Sequence, residues 1–361
     1  MNILLVTMEM NIGGAETHIL ELALELTKLG HHVYVVSSGG NFVKELEKGG
    51  VKHYYAPLKD KKPNHMLKAG QTIKAIIKEH HIDVVHAHAR IPGFICGIVC
   101  KQTHTHFVTT IHGIYKVNFL LKLLTNWGEK TLAVSDDIRE YAIREYSLNP
   151  ANVFTTINGI NMEKFAKRID DVSVPEVRFD EKKVKVVHVS RLDRDSSEVA
   201  EALIEVAEDL DKELPNGAQI IIVGSGDYYS ELILKSAGKG NIIFTGARTD
   251  VEKILNHADI FVGVSRAALE AMACEVPIIL AGNSRYGQGY AGIFTKDSLE
   301  MAQNTNFTCR GFEKIIPEKL KEDIIALNRQ KNPEMTRYNR QIVKENYSLT
   351  RMLEDALKIY K

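Results

Sequence analysis

Within Ala267–Cys274 the only charged residue is Glu270, set among alanine, leucine and methionine. It lies in the stretch Asp259–Gly282, DIFVGVSRAALEAMACEVPIILAG, whose apolar runs Ile260–Val264 and Pro277–Ala281 have the length and β-branched content of buried strands. Ser265 reads as the N-cap of the intervening helix and Pro277 as its stop. A carboxylate near the start of a close-packed helix, beside the carboxyl end of a strand, is placed to accept hydrogen bonds from ligand hydroxyls. Pattern alone equally allows a solvent-facing glutamate. A second candidate is Gly13-Gly14, between the strand Asn2–Thr7 and a helix with apolar Ile19, Leu22, Ala23, Leu26 and Leu29 that closes at Gly30. Free amides and a helix dipole at such a loop suit an anion. The spacing is not GxGxxG, so the dinucleotide fingerprint is absent, and a plain tight turn is the competing reading.

Three polar clusters close further strands: His86-Ala87-His88-Ala89-Arg90, Thr110-Ile111-His112-Gly113 and Ser135-Asp136-Asp137. His112 is the best site candidate of these, because Gly113 lets the backbone turn and leaves the imidazole at the sheet edge; a structural histidine is the alternative. His86 reads as structural. His86 and His88 share a strand face, yet no cysteine or carboxylate completes a ligand set at usable spacing, so no metal is expected.

These residues need a scaffold, and the alternation of elements supplies one. Strand patterns at His32–Ser37, Val51–Ala56, Ile82–Ala87, Phe107–Ile111, Leu132–Ser135 and Val153–Ile157 are separated by helical stretches, including His65–His80, Gly93–Lys101, Phe119–Glu129 and Asp136–Tyr146. Strands alternating with helices of this length form a parallel, doubly wound α/β sheet. Residues 166–182 are charged and unpatterned and read as a linker. The second half repeats the alternation through Val184–Val189, Gln219–Val223, Ile242–Thr245 and the Asp259–Gly282 unit, followed by a glycine-rich loop, Gly282–Gly292, and terminal helices. The expected division is 1–165, a linker at 166–182, 183–335, and C-terminal helices 336–361 that return to the first domain. Two such domains imply a ligand cleft between the carboxyl ends of their sheets.

Bulk properties narrow the function. The 361 residues suit two domains, and 44% hydrophobic and 25% charged residues are values of a soluble globular protein. Lys+Arg and Asp+Glu are both 46, so no net field recruits nucleic acid. Four cysteines make no disulfide framework, and the sequence leads us to expect neither a signal sequence nor a membrane-spanning run. A cytoplasmic protein is expected, with peripheral contact at the inner face of the membrane left open. The stretch Tyr115–Lys130 mixes apolar residues with lysines, as an interfacial helix or an ordinary domain helix would.

Over essentially its whole length the chain resembles the family 4 glycosyltransferases, retaining enzymes of the GT-B fold. The resemblance rests on GGAE (Gly13–Glu16), TIHG (Thr110–Gly113), SDDI (Ser135–Ile138), INGI (Ile157–Ile160), SRL (Ser190–Leu192), VGSG (Val223–Gly226), TGARTDV (Thr245–Val251) and LEAMACEVP (Leu269–Pro277), in the family's order. It implies sugar transfer from a nucleotide-diphosphate donor, a UDP-sugar on family frequency, to a polysaccharide or lipid-linked acceptor. Neither metal nor cofactor is implied; the nucleotide-sugar is a substrate. Gly13 and Gly14 would approach the diphosphate and reacting sugar, and His112 the transferred sugar. Arg191 would bind the diphosphate, Gly224, Gly226 and Arg248 would border the base, and Glu270 would hold the ribose hydroxyls. Ser265 and Arg266 complete the donor side, with Glu16 and His88 on the acceptor side.

Two departures bear on mechanism. The family's lysine five residues after the arginine is here Ser196, and Arg194 or Arg266 is the expected replacement. The family's second glutamate, eight residues before Glu270, is here Val262, and the loop that carries it is shortened. Sugar recognition then falls to other groups, with Asn283–Gly292 the nearest candidate. The stretch VSRAALEA is closer in pattern to inverting GT-B enzymes that act on lipid carriers, so stereochemistry stays open. A non-catalytic partner subunit and a nucleotide-sugar 2-epimerase are the alternatives.

Overall fold

The computed structural model describes residues 1–115, 117–168, 173–330 and 332–361, without the side chains of Leu120 and Leu123. Four linker positions, 169–172, and Lys116 of the proposed interfacial stretch therefore lie outside the described residues. The chain forms two compact units, Met1–Gly159 with Leu349–Lys361, and Ile160–Ser348.

The first unit holds seven strands: β1 (Asn2–Val6), β2 (His32–Ser37), β3 (Lys52–Tyr55), β4 (Val84–Ala87), β5 (His106–Ile111), β6 (Lys130–Ala133) and β7 (Val153–Thr155). All pairings are parallel, in the order β3-β2-β1-β4-β5-β6-β7. The crossovers carry α1 (Gly14–Lys28), α2 (Val43–Lys48), α3 (Pro63–Glu79), α4 (Arg90–Thr103), α5 (Phe119–Leu123) and α6 (Asp136–Tyr146). Helices cover both faces, so the central strands are apolar along their length; Ile3 through Val6 have no solvent exposure. The order reverses between β1 and β4, and Gly13-Gly14 and His88 follow those two strands.

The second unit holds β8 (Val184–Val189), β9 (Ala218–Val223), β10 (Ile242–Gly246), β11 (Ile260–Gly263), β12 (Ile278–Ala281) and β13 (Tyr290–Ile293), ordered β10-β9-β8-β11-β12-β13. Its helices are α7 (Glu198–Glu213), α8 (Tyr229–Lys235), α9 (Val251–His257), α10 (Ser265–Ala273), α11 (Leu299–Asn304), α12 (Pro317–Gln330) and α13 (Pro333–Asn346). The reversal here lies between β8 and β11, the strands that lead into Arg191 and Ser265. The tail divides. Helix α13 packs on α10, where Arg340 donates to the carbonyls of Phe165 and Ala273. Helix α14 (Leu349–Ile359) belongs to the first unit, burying Met352, Leu353, Ala356 and Ile359.

Three local expectations give way. The helix from Phe119 ends at Leu123 rather than Glu129, because Trp127 turns into the core and its carbonyl accepts the hydroxyls of Thr109 (2.6 Å) and Thr131 (2.7 Å). The glycine-rich stretch after Gly282 is more than a loop: it contains β13, antiparallel to β12, with Gly292 at φ 78°. Ser265 is not an N-cap. It stands inside the helix start at φ 57°, makes no side-chain cap bond, and donates its amide to Phe307 O at 2.8 Å. Asn306, Phe307 and Cys309 are likewise left-handed, and this tight buried segment presents the carbonyl that draws Ser265 out of a capping geometry.

Candidate functional site

In the first unit the carboxyl ends of β4 and β5 and the start of α1 converge on imidazoles. His86, in β4, is fully buried; its Nδ1 lies 2.8 Å from the Tyr360 hydroxyl and its Nε2 2.7 Å from Thr110 Oγ1. Its ring packs 4.1 Å from that of His88. His88 is also buried, with Nδ1 3.1 Å from Nε2 of the half-buried His112. His18, in the second turn of α1, meets the His112 ring edge-on at 4.9 Å. Burial drives these rings toward the neutral form: His86 is pushed down to about 3, His112 to about 4, and His88 well below the ordinary range. His112 thus meets a ligand at neutral pH as an uncharged donor or acceptor.

The loop in front of α1 is built for close approach. Gly13 is extended at the N-cap, and its carbonyl accepts from the Thr17 amide and hydroxyl at 2.9 and 2.8 Å. A Cβ at Gly14 would meet nothing within 4 Å, so packing does not demand glycine there; its absent side chain leaves the helix start open. Glu16 lies in the first turn of the same helix.

In the second unit Arg191 follows β8. It is about half exposed, and its nearest carboxylate, Asp193, stands 3.8 Å away. Behind it His188 donates Nδ1–H to Val262 O (2.7 Å), because a carbonyl can only accept; Nε2 then accepts the Ser190 hydroxyl at 2.8 Å. Burial pushes His188 down to about 4. Ser196, at the family's lysine position, closes a reciprocal cap with Asp193 and donates to Arg191 O at 2.8 Å. That hydroxyl fixes the turn that carries Arg191. The glycines of VGSG serve the same turn. A Cβ on Gly224 would lie 1.8 Å from Ser190 O, and one on Gly226 2.3 Å from the Leu192 backbone.

Both arginines expected to replace the lysine have carboxylate partners. Arg194 pairs with Glu231 at 3.2 Å and lies 4.5 Å over the Tyr228 ring. Arg266 is buried and binds Glu270 through Nε at 2.8 Å, one helical turn apart. Glu270 is therefore a buried, paired carboxylate, not a solvated one. Arg248 forms a two-pronged bridge to Asp250, 2.7 Å on each arm, and reaches Glu176 at 3.2 Å; these carboxylates hold it firmly protonated. In the Asn283–Gly292 stretch, Ser284 is bound by Glu198 at the start of α7, and Arg285 donates to Arg194 O at 2.7 Å. His18 and Tyr360 escape sequence reasoning; His18 had a signal, lying five residues after Gly13 on the helix that the loop opens.

The profile described as Glycosyltransferase Family 4 matches residues 12–164, and the profile described as Glycosyl transferases group 1 matches residues 183–307. The N-acetyl-alpha-D-glucosaminyl L-malate synthase of Bacillus anthracis is 23% identical over 297 residues, covering 74% of this chain and 76% of its own length. The UDP-Gal:alpha-D-GlcNAc-diphosphoundecaprenol alpha-1,3-galactosyltransferase of Escherichia coli is 25% identical over 232 residues, covering 57% and 59%. Among solved structures, Alr3699/HepE of Anabaena in complex with UDP and glucose superposes with a TM-score of 0.75 at 16% identity, over 99% of this chain and 98% of that one. The two Rossmann-like units are those of the GT-B fold.

Proposed function

We propose that this chain, which belongs to glycosyltransferase family 4, moves a sugar from a UDP-sugar to a polysaccharide or lipid-linked acceptor with retention at the anomeric carbon. Membership makes it a glycosyltransferase; the donor, acceptor and stereochemistry are our reading. The observation that carries it is Arg191. Of Arg191, Arg194, Arg248 and Arg266, it alone has no carboxylate within 3.5 Å. A forked, fixed cation at a topological switch point suits a diphosphate. The UDP complex of the Anabaena protein and the lipid-diphosphate substrate named for the Escherichia coli relative support the choice of donor and acceptor classes.

In this reaction the bond from the anomeric carbon to the diphosphate oxygen breaks, and its electron pair leaves with the phosphate. The acceptor oxygen bonds to the same carbon, and its proton passes to the departing phosphate. Arg191 and the Gly13-Gly14 amides stabilise the leaving charge. Neutral His112 contacts the transferred sugar, and the Glu270 carboxylate accepts from the ribose hydroxyls while bonded to Arg266. Arg248, Gly224 and Gly226 border the base, Ser265 and Arg266 support Glu270, and Glu16 and His88 stand on the acceptor side. No cofactor takes part and no metal sits on the diphosphate, so a chelator does not abolish turnover. We place the acceptor at the cytoplasmic face of a membrane, with peripheral contact; no helix among the described residues is long and apolar enough to cross one.

Calorimetry with UDP, GDP and ADP, followed by donor turnover with NMR of the product anomer, tests the reading. UDP should bind best, and the product should keep the donor's configuration. An inverted product would overturn the stereochemistry, and release of an epimerised sugar without acceptor would replace transfer by epimerisation. A nucleotide-binding subunit without turnover is the second reading, favoured by the Arg266 bond that engages Glu270. UDP binding with no donor consumption would select it.

A further inference from the structure

We propose that His18, His88 and His112 form a site for one divalent transition ion of the zinc class, with an open fourth position. One ligand nitrogen from each ring lies within 4.8 Å of the other two. His88 Nδ1 and His112 Nε2 stand 3.1 Å apart. Two ligands of a tetrahedral ion, with bonds of about 2.0 Å, are separated by roughly 3.3 Å, so the His88–His112 pair already has ligand spacing and His18 closes on the ion from within 4.8 Å. The three rings come from three separate elements: the second turn of α1, the residue after the β4 end, and the residue after β5.

The competing explanation is a plain hydrogen-bonded cluster, in which one shared proton satisfies His88 Nδ1 and His112 Nε2. His88 Nε2 is buried with no hydrogen-bond partner among the described residues under either arrangement, so the convergence of the third ring, His18, is what favours an ion. His86 supports the site without joining it. Both of its nitrogens are taken, by Tyr360 and Thr110, and its ring buttresses His88 at 4.1 Å. Supporting contacts of this sort orient metal ligands.

The donor set fixes the class of ion. Three uncharged imidazoles and no carboxylate suit Zn²⁺, Co²⁺, Ni²⁺ or Cu²⁺, whereas Mg²⁺ and Mn²⁺ prefer oxygen ligands. His18 and His88 are buried and His112 is half-buried, so the ion enters past His112. One consequence rests on the glycosyl-transfer reading above: an ion on His112 removes that imidazole from the sugar, so zinc inhibits transfer. The site is thus a brake on the reaction and not its catalyst.

The test uses the full chain, freed of metal by chelator. Co²⁺ is titrated and followed by visible absorption, and Zn²⁺ and Mg²⁺ are followed by calorimetry. One Co²⁺ per chain should bind with the intense bands of tetrahedral cobalt and be displaced by one Zn²⁺, while Mg²⁺ gives no heat. His18→Gln and His88→Gln should each weaken Zn²⁺ at least tenfold, and His65→Gln, at an exposed pair with Asp60, should not. Zinc should raise the unfolding temperature of the unaltered chain. Absence of stoichiometric Co²⁺ or Zn²⁺ binding by the unaltered chain overturns the site whatever the variants do. Unchanged affinity in folded His18→Gln also overturns it. Failure of the metal-free chain to consume donor would fall on the transfer reading and leave the metal titration standing.

Discussion

The two units solve opposite electrostatic problems at the same topological place. Beside the β1/β4 reversal stand buried imidazoles that burial keeps neutral, with His86, Tyr360 and Thr110 bonding only among uncharged groups. Beside the β8/β11 reversal stand Arg191, Arg194 and Arg266, the last two already bound to carboxylates. A neutral polar cluster discriminates hydroxyl patterns and carries little field; a half-exposed guanidinium recognises charge. Under the proposed function, imidazoles of the first unit meet the sugar and Arg191 of the second meets the diphosphate, and the contrast is the basis of that division of labour.

Breaking the charged side should have the largest effect. Arg191→Ala should lower turnover by about 10²–10³-fold, the usual loss when one preorganised donor to a developing anion is removed. The unfolding temperature should hold, since the side chain is half exposed.

Acid should break the neutral side first. A histidine held below its unfolded value of 6.5 stabilises the fold fully above pH 6.5, and that contribution is lost as pH falls from 6.5 toward the folded value. His86 (about 3) and His112 (about 4) act in the first unit, with His88 shifted the same way, and His188 (about 4) acts in the second. At pH 5 the loss is about 2 kcal/mol for fully buried His86 and less for half-buried His112. Hydrogen exchange between pH 6.5 and 4 should therefore show β4 and β5 opening ahead of β8 and β11.

A comparable effect, confined to the second unit, is expected at the buried ion pair. Glu270→Ala leaves Arg266 without its carboxylate in a buried setting and should destabilise the second unit by about 3 kcal/mol. Chemical denaturation measures it. Smallest is Tyr360→Phe. Loss of the 2.8 Å bond to His86 should lower stability by about 1 kcal/mol and leave UDP affinity unchanged.

The alternation of strands and helices was legible because parallel strands buried on both faces write continuous apolar runs, and Leu4, Val85, Ile221 and Ile279 are all fully buried. Candidate residues at strand ends were legible for the same reason: a polar group that ends an apolar run must sit at a sheet edge. Long-range partners were not. Tyr360 reaches His86 across 274 residues, and nothing local to either announces it. His18 falls on the buried stripe of α1, where an apolar period hides a polar member. Strand β13 was masked by glycines, and the left-handed Ser265 by the tertiary hydrogen bond that imposes it. The partners of Arg194 and Arg266 were not legible as such: Glu231 lies 37 residues from Arg194, and an i,i+4 spacing from Arg266 to Glu270 does not by itself announce a buried pair.

The division of labour is tested most directly by UDP calorimetry on two variants side by side. His112→Ala should bind UDP as tightly as the unaltered chain while losing turnover, and Arg191→Ala should lose at least tenfold in UDP affinity. Full UDP affinity in Arg191→Ala, or its loss in His112→Ala alone, would contradict the account.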